Sequence, residues 1–264
     1  MSKISVVIIA QNEAHRIEAA LKSVQWADEI VIIDAFSTDG TVGICKKYTD
    51  KIFQYNWEGF ARQRMRSLEH ASHLWVLSLD ADEAVSEELR DEILEVVAQN
   101  GHIHGYEIPR KTYYLGRWIE HSGWFPDYQL RLFQKDKVHL EPRLVHEGYE
   151  VAGISGRLKG VLFHYAFESI YHHVAKINRY TSLDCSQKMV RLRNTKIRWY
   201  HFVFNPLSKF LRMFLVNKGY KDGIQGFILA IFSAFSTQLL YTKVWEEQTQ
   251  QRQNLASERQ TPME

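Results

Sequence analysis

The sequence predicts an α/β fold with a mainly parallel sheet, followed by a helical extension. In the first half, short β-branched runs alternate with segments whose apolar residues recur at helical spacing. Beyond about Ser169, only the helical spacing remains and the chain becomes basic. Strands that alternate with helices usually pair in parallel, because each helix carries the chain back across the sheet.

The first βα unit shows the pattern most clearly. The β-branched run at residues 4–9 is followed by Ile17, Ala20, Leu21 and Val24, which lie at helical spacing. The later elements are bounded by polar turns, such as the one at residues 37–40. In chain order we expect a strand at 4–9, a helix around 17–24, a strand at 29–33, a helix from 41, a strand at 51–55, a helix at 59–71 and a strand at 74–79.

The pattern changes twice after these elements. Residues 105–165 are short extended pieces rich in Tyr, Trp, Gly and His, which predict an antiparallel addition forming a second wall. From about Ser169 to Lys221 the sequence predicts helices, and Asp184 is the one acidic residue among many basic ones. Residues 223–242 then carry no formal charge. We divide the chain into a catalytic domain at 1–168, with halves at 1–104 and 105–168, and a basic helical extension with a polar tail at 169–264.

Composition excludes several classes of protein. With 264 residues, 45% of them hydrophobic, the chain can bury a large core, and a net charge of +2 does not predict nucleic-acid binding. Cys45 and Cys185 lie far apart without a C-x-x-C pair, which fits a reducing compartment. Polar residues from Gln11 interrupt the first apolar run before it could form a secretory signal, so we expect a buried strand there.

Polar residues follow the predicted strands directly. In an open parallel sheet, ligands bind outside the carboxyl ends of the strands. Gln11, Asn12 and Glu13 follow the first strand, and Asp34 ends the second. The fourth strand leads into Asp80, Ala81, Asp82 and Glu83.

The Asp80-Ala81-Asp82 segment predicts a diphosphate and metal site. Its carboxylates emerge together after an apolar strand, and Mg²⁺ or Mn²⁺ bridges such carboxylates to substrate phosphates. The metal would neutralise charge that develops on a leaving diphosphate. The alternative is that Asp82 and Glu83 stabilise the N-terminus of a helix beginning near Val85 or Ser86.

Four segments of the first half resemble glycosyltransferase family 2, which has the GT-A fold: SVVIIAQNE at 5–13, WADEIVIID at 26–34, STDGT at 37–41 and LSLDADE at 77–83. Later segments resemble the lipopolysaccharide core β-1,4-glucosyltransferase branch: GYEIPR at 105–110, GWFPDYQLRLF at 123–133, VHE at 145–147 and LD at 183–184. The similarity runs from about Lys3 to about Trp245.

The resemblance implies a UDP-sugar donor, a divalent metal and inversion at the anomeric carbon. Residues implied in donor binding are Gln11, Asn12, Glu13, Asp34, Arg64, Asp80 and Ala81. Residues implied in metal binding are Asp80 and Asp82, and His146 is a candidate for a further ligand, ahead of His164. Two positions depart from the family pattern: Met65 follows Arg64 where an Asn is usual, and Gln occupies position 11.

An inverting transfer to a hydroxyl needs a carboxylate that takes the acceptor's proton. Asp127 is our candidate base, because it lies in a segment rich in Trp and Tyr that suits stacking on sugars. Glu147 is the reserve candidate, and Pro126-Asp127 could instead be only a turn. Trp124 and Arg131 are candidates for contacting the acceptor.

The basic helical extension predicts a membrane-facing role. Lys and Arg suit anionic headgroups and a phosphorylated, lipid-linked acceptor. Residues 223–242 could lie on the membrane surface, pack in the protein or span a bilayer, and we favour the surface. The expected location is cytoplasmic, peripheral on the inner face of the inner membrane.

Three functions remain open from the sequence. The resemblance favours transfer of a hexose, with glucose first, to the heptose region of the lipopolysaccharide inner core. A second possibility is transfer to a polyprenyl phosphate, which needs no general base because its oxygen is already ionised. The third is a nucleotide-sugar-binding protein without turnover.

Overall fold

The computed structural model describes residues 2–99, 101–140, 148–167, 169–192 and 195–258. The chain forms two compact units, which are described separately. An α/β unit comprises Met1–Tyr113 and Phe125–Ala166, and a helical unit comprises Tyr114–Trp124 and Phe167–Glu264. The segment Tyr114–Trp124 thus belongs with the helices, although we assigned it to the second wall of the catalytic domain.

One sheet dominates the α/β unit, with the strand order β3-β2-β1-β4-β8-β6-β12-β5 and β11 beside β6. Strands β9 and β10 form a separate two-stranded sheet. The strands are β1 (Ile4–Ala10), β2 (Glu29–Asp34), β3 (Ile52–Gln54), β4 (Trp75–Asp80), β5 (Glu83–Val85), β6 (Ile103–Tyr114), β7 (Arg117–Trp118), β8 (Asp127–Gln134), β9 (Val138–Leu140), β10 (Tyr149–Val151), β11 (Ile154–Arg157) and β12 (Leu162–Phe167).

Strands β3, β2, β1 and β4 pair in parallel, which confirms the predicted α/β fold. The residues of β1, β2 and β4 are buried on both faces, because helices cover the sheet on each side. Val6 and Ile8 pack on one face and Val7 on the other. The helices of this unit are α1 (Ile17–Ser23), α2 (Thr41–Cys45), α3 (Phe60–His70) and α4 (Glu87–Gln99).

Most of the predicted antiparallel addition extends the same sheet, although β9 and β10 lie in their own sheet and β11 pairs parallel with β6. Strand β8 pairs antiparallel with both β4 and β6, and β12 pairs antiparallel with β5. The residues of β8 therefore lie directly beside the strand that ends at Asp80. This pairing is what brings Arg131 to the centre of the predicted site.

The helical unit contains α5 (Ile170–Arg191), α6 (Trp199–Leu211), a π-helical turn (Arg212–Val216), a 3-10 turn (Gly219–Asp222) and α7 (Gly223–Glu258). Tyr114, Met213 and Leu229 are buried in its larger core. Among the described residues, one helical stretch, Gly219–Gln253, is long and apolar enough to cross a membrane, and less than a fifth of its most apolar part is buried. Length and composition alone do not choose between a surface position, packing and a span.

Candidate active site

The carboxyl ends of β1, β2 and β4 meet at one edge of the sheet, because these strands are parallel and adjacent. Ala10 pairs with Asp34, and Ile9 pairs with Asp80. The predicted donor residues after these strands therefore share one edge, as the sequence pattern predicted.

Asp80 and Glu83 hold the buried guanidinium group of Arg131 between them. Arg131 Nη2 donates to Asp80 Oδ2 and, at 2.8 Å, to Glu83 Oε1. Arg131 is only 3% exposed and Glu83 only 1%. The other carboxylate oxygen of Asp80 accepts from Arg64 Nη2 at 3.2 Å. Both oxygens of Asp80 thus contact guanidinium groups.

These charges stabilise one another. Burial by itself raises the pKa of Asp80, but the charges of Arg131 and Arg64 outweigh it and hold that pKa well below its usual range. Burial by itself lowers the pKa of Arg131, and the charges of Asp80 and Glu83 raise it above its usual range. Asp80 is therefore an anion and Arg131 a cation at any working pH.

Asp82 lies next to a histidine instead of a second carboxylate. Its Oδ2 is 3.5 Å from His164 Nε2 and 3.9 Å from Arg16 Nη1. His164 is held in place by its Nδ1, which lies 3.2 Å from Thr112 Oγ1. The pairing of β12 with β5 places His164 opposite Glu83 and so brings it to Asp82.

This donor set fits a divalent cation that takes most of its ligands from a substrate. Within the described ranges, no group of three or more His, Cys, Asp or Glu side chains could hold a metal alone. Mg²⁺ sites in phosphate-transfer enzymes commonly use one or two protein carboxylates and complete their coordination with phosphate oxygens and water. Asp82 and His164 could supply the protein part, while ligation by Asp80 stays a prediction. His146, the histidine we favoured, lies outside the described residues.

Asp127 begins β8 and is not in a turn. It faces Arg110 of β6 across the antiparallel pair. Arg110 donates to Asp127 Oδ2 through Nε at 2.8 Å and Nη2 at 2.5 Å, and Gln129 donates to Oδ1 at 2.8 Å. Arg110 Nη1 also lies 3.4 Å from Glu83, which connects Asp127 to the Arg131 centre. Glu147, the reserve base, lies outside the described residues.

The residues after β1 and β2 bind one another. Asn12 has a positive φ of 56°, and its Oδ1 accepts from the backbone N–H of Thr38 at 2.8 Å. The buried Asp34 accepts from the N–H of Ser37 at 3.0 Å and from Gln54 Nε2 at 2.9 Å. Through its hydrogen bond to Thr38, Asn12 fixes the turn beyond β2. The roles of Asn12 and Asp34 in nucleotide binding stay predictions.

The remaining predicted residues have diverse environments. Gln11 is exposed, whereas Ala81 is buried. Glu13 Oε2 lies 3.1 Å from Arg16 Nε, and Nη1 of the same arginine lies 3.9 Å from Asp82 Oδ2. Trp124 belongs to the helical unit, where its ring packs against Tyr114 and Phe167. For Trp124 and Arg131, contact with an acceptor stays a prediction.

Two residues of the site were missed from the sequence. Glu83 lies in the short strand β5, so it anchors Arg131 and is not at a helix N-terminus; α4 begins only at Glu87. Tyr149 is buried, with its hydroxyl 3.0 Å from Ser78 Oγ and its ring under Arg64 at 5.5 Å. A signal for Glu83 existed, because it directly follows the predicted motif. Tyr149 carried none, since its strand is only three residues long.

Comparison with known proteins gives the family. The sequence model described as "Glycosyl transferase family 2" matches residues 5–154. The chain belongs to this family. The matched range contains the Asp80–Arg131–Glu83 centre and Asp127, while His164 lies ten residues beyond its end.

Full-length relatives extend the match to the helical unit. The chain is 30% identical over 250 residues to the lipopolysaccharide core biosynthesis glycosyltransferase LpsC of Rhizobium meliloti, covering 92% of each protein. It is 28% identical over 270 residues to an uncharacterized glycosyltransferase of Rickettsia typhi, covering 98% of this chain and 92% of the relative. Both units are thus present in these relatives.

A solved structure shares the fold. Residues 1–349 of Staphylococcus aureus TarS, in complex with UDP-GlcNAc, match with a TM-score of 0.52 at 16% identity. The match covers 94% of this chain and 92% of the TarS chain. At this identity the similarity shows the fold alone.

Proposed function

We propose that this protein is an inverting glycosyltransferase that moves a hexose from a UDP-sugar to the heptose region of the lipopolysaccharide inner core. The observation that carries the proposal is the buried Asp80–Arg131–Glu83 centre at the carboxyl ends of the parallel strands. In a family 2 member, that edge is where a nucleotide-sugar is expected to bind. Glucose is the donor sugar that the sequence resemblance favours.

The donor diphosphate would lie near Asp80 and Asp82, where Arg64 contacts Asp80 and Arg16 lies 3.9 Å from Asp82. Asp82 and His164 would hold a divalent metal, which supplies charge neutralisation for the departing diphosphate when it is bound. Arg131 is buried behind Asp80 and acts through it, because it fixes the position of that carboxylate. The TarS complex with UDP-GlcNAc supports a UDP-sugar on this fold.

Asp127 would remove the proton of the acceptor hydroxyl as that oxygen attacks the anomeric carbon. General-base catalysis needs a carboxylate held in a fixed position within hydrogen-bonding distance of the proton. Arg110 and Gln129 hold both oxygens of Asp127. The acceptor oxygen bonds to the anomeric carbon on the face opposite the diphosphate, its proton passes to Asp127, and the bond to the diphosphate oxygen breaks. Attack from the opposite face inverts the configuration.

The proposed acceptor follows from the relatives. LpsC is named as a lipopolysaccharide core biosynthesis glycosyltransferase, and it matches this chain over nearly its whole length. Such an acceptor is lipid-linked, so the proposal includes a cytoplasmic enzyme that is peripheral on the inner membrane.

The test is sugar transfer by the purified protein. UDP- and GDP-hexoses are offered with Mn²⁺, Mg²⁺ or EDTA, and the acceptor is either heptose-terminated core lipopolysaccharide or polyprenyl phosphate. We expect metal-dependent UDP release with the heptose acceptor, an inverted linkage in the product, and loss of both in Asp82→Ala.

Other results would contradict parts of the proposal. Transfer to polyprenyl phosphate alone would replace the acceptor and remove the need for a base. Equal activity in EDTA would exclude the metal. No turnover with any pair, together with retained UDP-sugar binding, would favour a binding protein.

A further inference from the structure

Helix α6 has apolar side chains on two faces, and only one face is covered by protein. On its inner side, Pro206 is buried and Phe210 packs against the core of the helical unit. The outer face consists of Val203, Phe204, Leu207 and Leu211, all exposed, with Phe204 at 58%. These positions recur every three to four residues, so they form a single stripe along the helix.

The exposed stripe continues beyond both ends of α6. Trp199 opens the helix with 71% of its surface exposed, and the π-helical turn adds Leu215 and Val216. At the start of α7, Ile224, Phe227 and Ile231 are also exposed. Ring contacts of Phe227 with Phe210 at 6.0 Å and with Phe214 at 5.5 Å join the two helices. Water-soluble proteins rarely leave so extended an apolar surface uncovered.

The exposed charges around the two ends of α6 have one sign and form a positive border to this helix. Exposed basic side chains are Lys196, Arg198, Lys209, Arg212, Lys218 and Lys221. The sequence has one acidic residue between positions 195 and 245, Asp222, and it is buried. Asp222 accepts hydrogen bonds from the N–H groups of Glu120 and His121 at 3.3 and 3.0 Å, so it does not offset this positive border.

An anionic lipid bilayer is the partner that fits these observations. An apolar stripe with a cationic border is the pattern of helices that lie in the membrane interface. A second copy of this chain would bring the same cations together across the interface, at an electrostatic cost. Helix α6 has 13 residues, too few to span a bilayer, which needs about 20. Trp199 and Tyr200 at its start are residue types enriched at the headgroup level.

We infer that the outer face of α6, extended by the π-helical turn, inserts into the headgroup region of an anionic bilayer, with α7 lying behind it. This inference deepens the peripheral location in the proposed function, which rests on a lipid-linked acceptor. The charge-free sequence predicted the membrane contact at residues 223–242. The inference places the main contact on α6 instead. All residues of this surface belong to the helical unit.

The test is binding of the full chain to vesicles, measured by flotation without donor or acceptor. Vesicles contain phosphatidylethanolamine with either phosphatidylglycerol or neutral phosphatidylcholine. We expect binding to the anionic vesicles that weakens at high salt. The double variant Phe204→Asn with Leu207→Asn should bind at least about tenfold more weakly, because two apolar side chains no longer enter the interface. Lys209→Gln with Arg212→Gln should weaken binding to anionic vesicles by about fivefold per charge.

Two matched controls separate insertion from general surface effects. Leu94→Asn changes an exposed leucine of α4 and should leave binding unchanged. Ile224→Asn with Ile231→Asn changes α7 and should weaken binding less than the α6 variant does. Circular dichroism of each variant checks that the helices stay folded, which we expect because the substituted side chains are exposed.

Three outcomes would overturn the inference: wild-type binding by the α6 double variant, a larger loss in the α7 variant, or a wild-type dimer that the α6 variant dissolves without any change in vesicle binding. The readout needs no turnover, so failure of the proposed sugar transfer would leave it intact. Conversely, vesicle binding could fail while transfer to a detergent-solubilised acceptor succeeds.

Discussion

In the α/β unit, Arg131 and Glu83 are buried and paired, whereas in the helical unit Lys209 and Arg212 are exposed near the end of the helix that carries the exposed Phe204. Charged side chains are thus buried in the first of these regions, whereas in the second they are exposed together with apolar side chains. The buried guanidinium group of Arg131 keeps the carboxylates of Asp80 and Glu83 in fixed positions. An exposed apolar stripe with a cationic border suits an extended surface. Under the proposed function and the inferred bilayer contact, chemistry and membrane localisation would reside in separate units.

The strongest test of this separation is Asp127→Asn. If Asp127 is the base, kcat falls by roughly 10²–10⁴, because the amide cannot take the acceptor's proton. Vesicle binding should stay at the wild-type level, since Asp127 lies in the α/β unit. Steady-state kinetics and flotation on one preparation measure both. The matched control is Asp136→Asn, an exposed aspartate paired with Lys137. Full activity of Asp127→Asn would indicate an acceptor that is already ionised.

The next prediction concerns the stability of the buried centre. Arg131→Met leaves Asp80 and Glu83 without their shared guanidinium group, and breaking a buried pair costs about 3–5 kcal/mol. Arg90→Met removes the exposed Arg90–Asp91 pair and should cost far less, because solvent screens exposed ion pairs. Urea unfolding gives both values. Equal losses for the two variants would show that burial of the centre adds nothing to stability.

Much of this arrangement could be predicted from the sequence. The strands up to Asp80 were predictable because their β-branched runs are continuous and their turns are polar, and the order of helices and strands then fixes a parallel half-sheet. The aspartates of the Asp80-Ala81-Asp82 segment were found for the same reason. Local sequence specifies these features, so no distant contact was needed to see them.

The partners of these aspartates depend on distant pairing. Arg131 reaches Asp80 across a separation of 51 residues, through the antiparallel pairing of β8 with β4. Arg110 reaches Asp127 in the same way, through β6. Nothing in the periodicity of residues 105–165 indicates which strand is adjacent to which. The outer face of α6 was missed because its apolar residues resemble those of an ordinary packed helix.

Acid should destabilise the two units in different pH ranges. Burial, aided by the charge of Lys176, lowers the pKa of His173 from 6.5 to about 4. The folded helical unit therefore binds fewer protons than the unfolded chain between these values, and the contribution of His173 to its stability is lost as pH falls from 6.5 to 4. Burial raises the pKa of Glu29, but hydrogen bonds from Lys51, Ser5 and Ser72 outweigh it and lower that pKa from 4.5 to about 2. Its contribution is present above pH 4.5 and is lost as pH falls to 2.

Each loss amounts to about 3 kcal/mol, from the size of the two pKa differences. Hydrogen exchange resolved by segment, measured at several pH values, reports the two units separately. His173→Gln should remove the pH dependence above pH 4.5 in the helical unit, and Glu29→Gln should reduce the dependence below it in the α/β unit. His172→Gln is the control, since His172 is exposed and adjacent in sequence. Parallel loss in both units at one pH would contradict the separation.

The smallest expected effects come from two glycines, one in each unit. A Cβ at Gly226 would lie 2.0 Å from the carbonyl oxygen of Gly219, and 2.9 Å from Cβ of Asp222. Gly226→Ala should therefore force the start of α7 away from the 3-10 turn and destabilise the helical unit by about 1–3 kcal/mol. Gly43 lies inside α2, where an added methyl group would meet no neighbouring side chain of the described residues within 4 Å. Gly43→Ala should stabilise the α/β unit by about 0.5–1 kcal/mol, because alanine loses less conformational entropy in a helix.

Segment-resolved hydrogen exchange under mild denaturant again assigns each effect to its unit. The Gly226→Ala change should also weaken vesicle binding, because Ile224 and Phe227 flank it and share the exposed apolar surface with α6. Gly43→Ala should leave binding unaltered. A loss of sugar transfer to a soluble acceptor in Gly226→Ala, with vesicle binding intact, would reverse the assignment of roles, since the helical unit would then serve the chemistry and not the membrane contact.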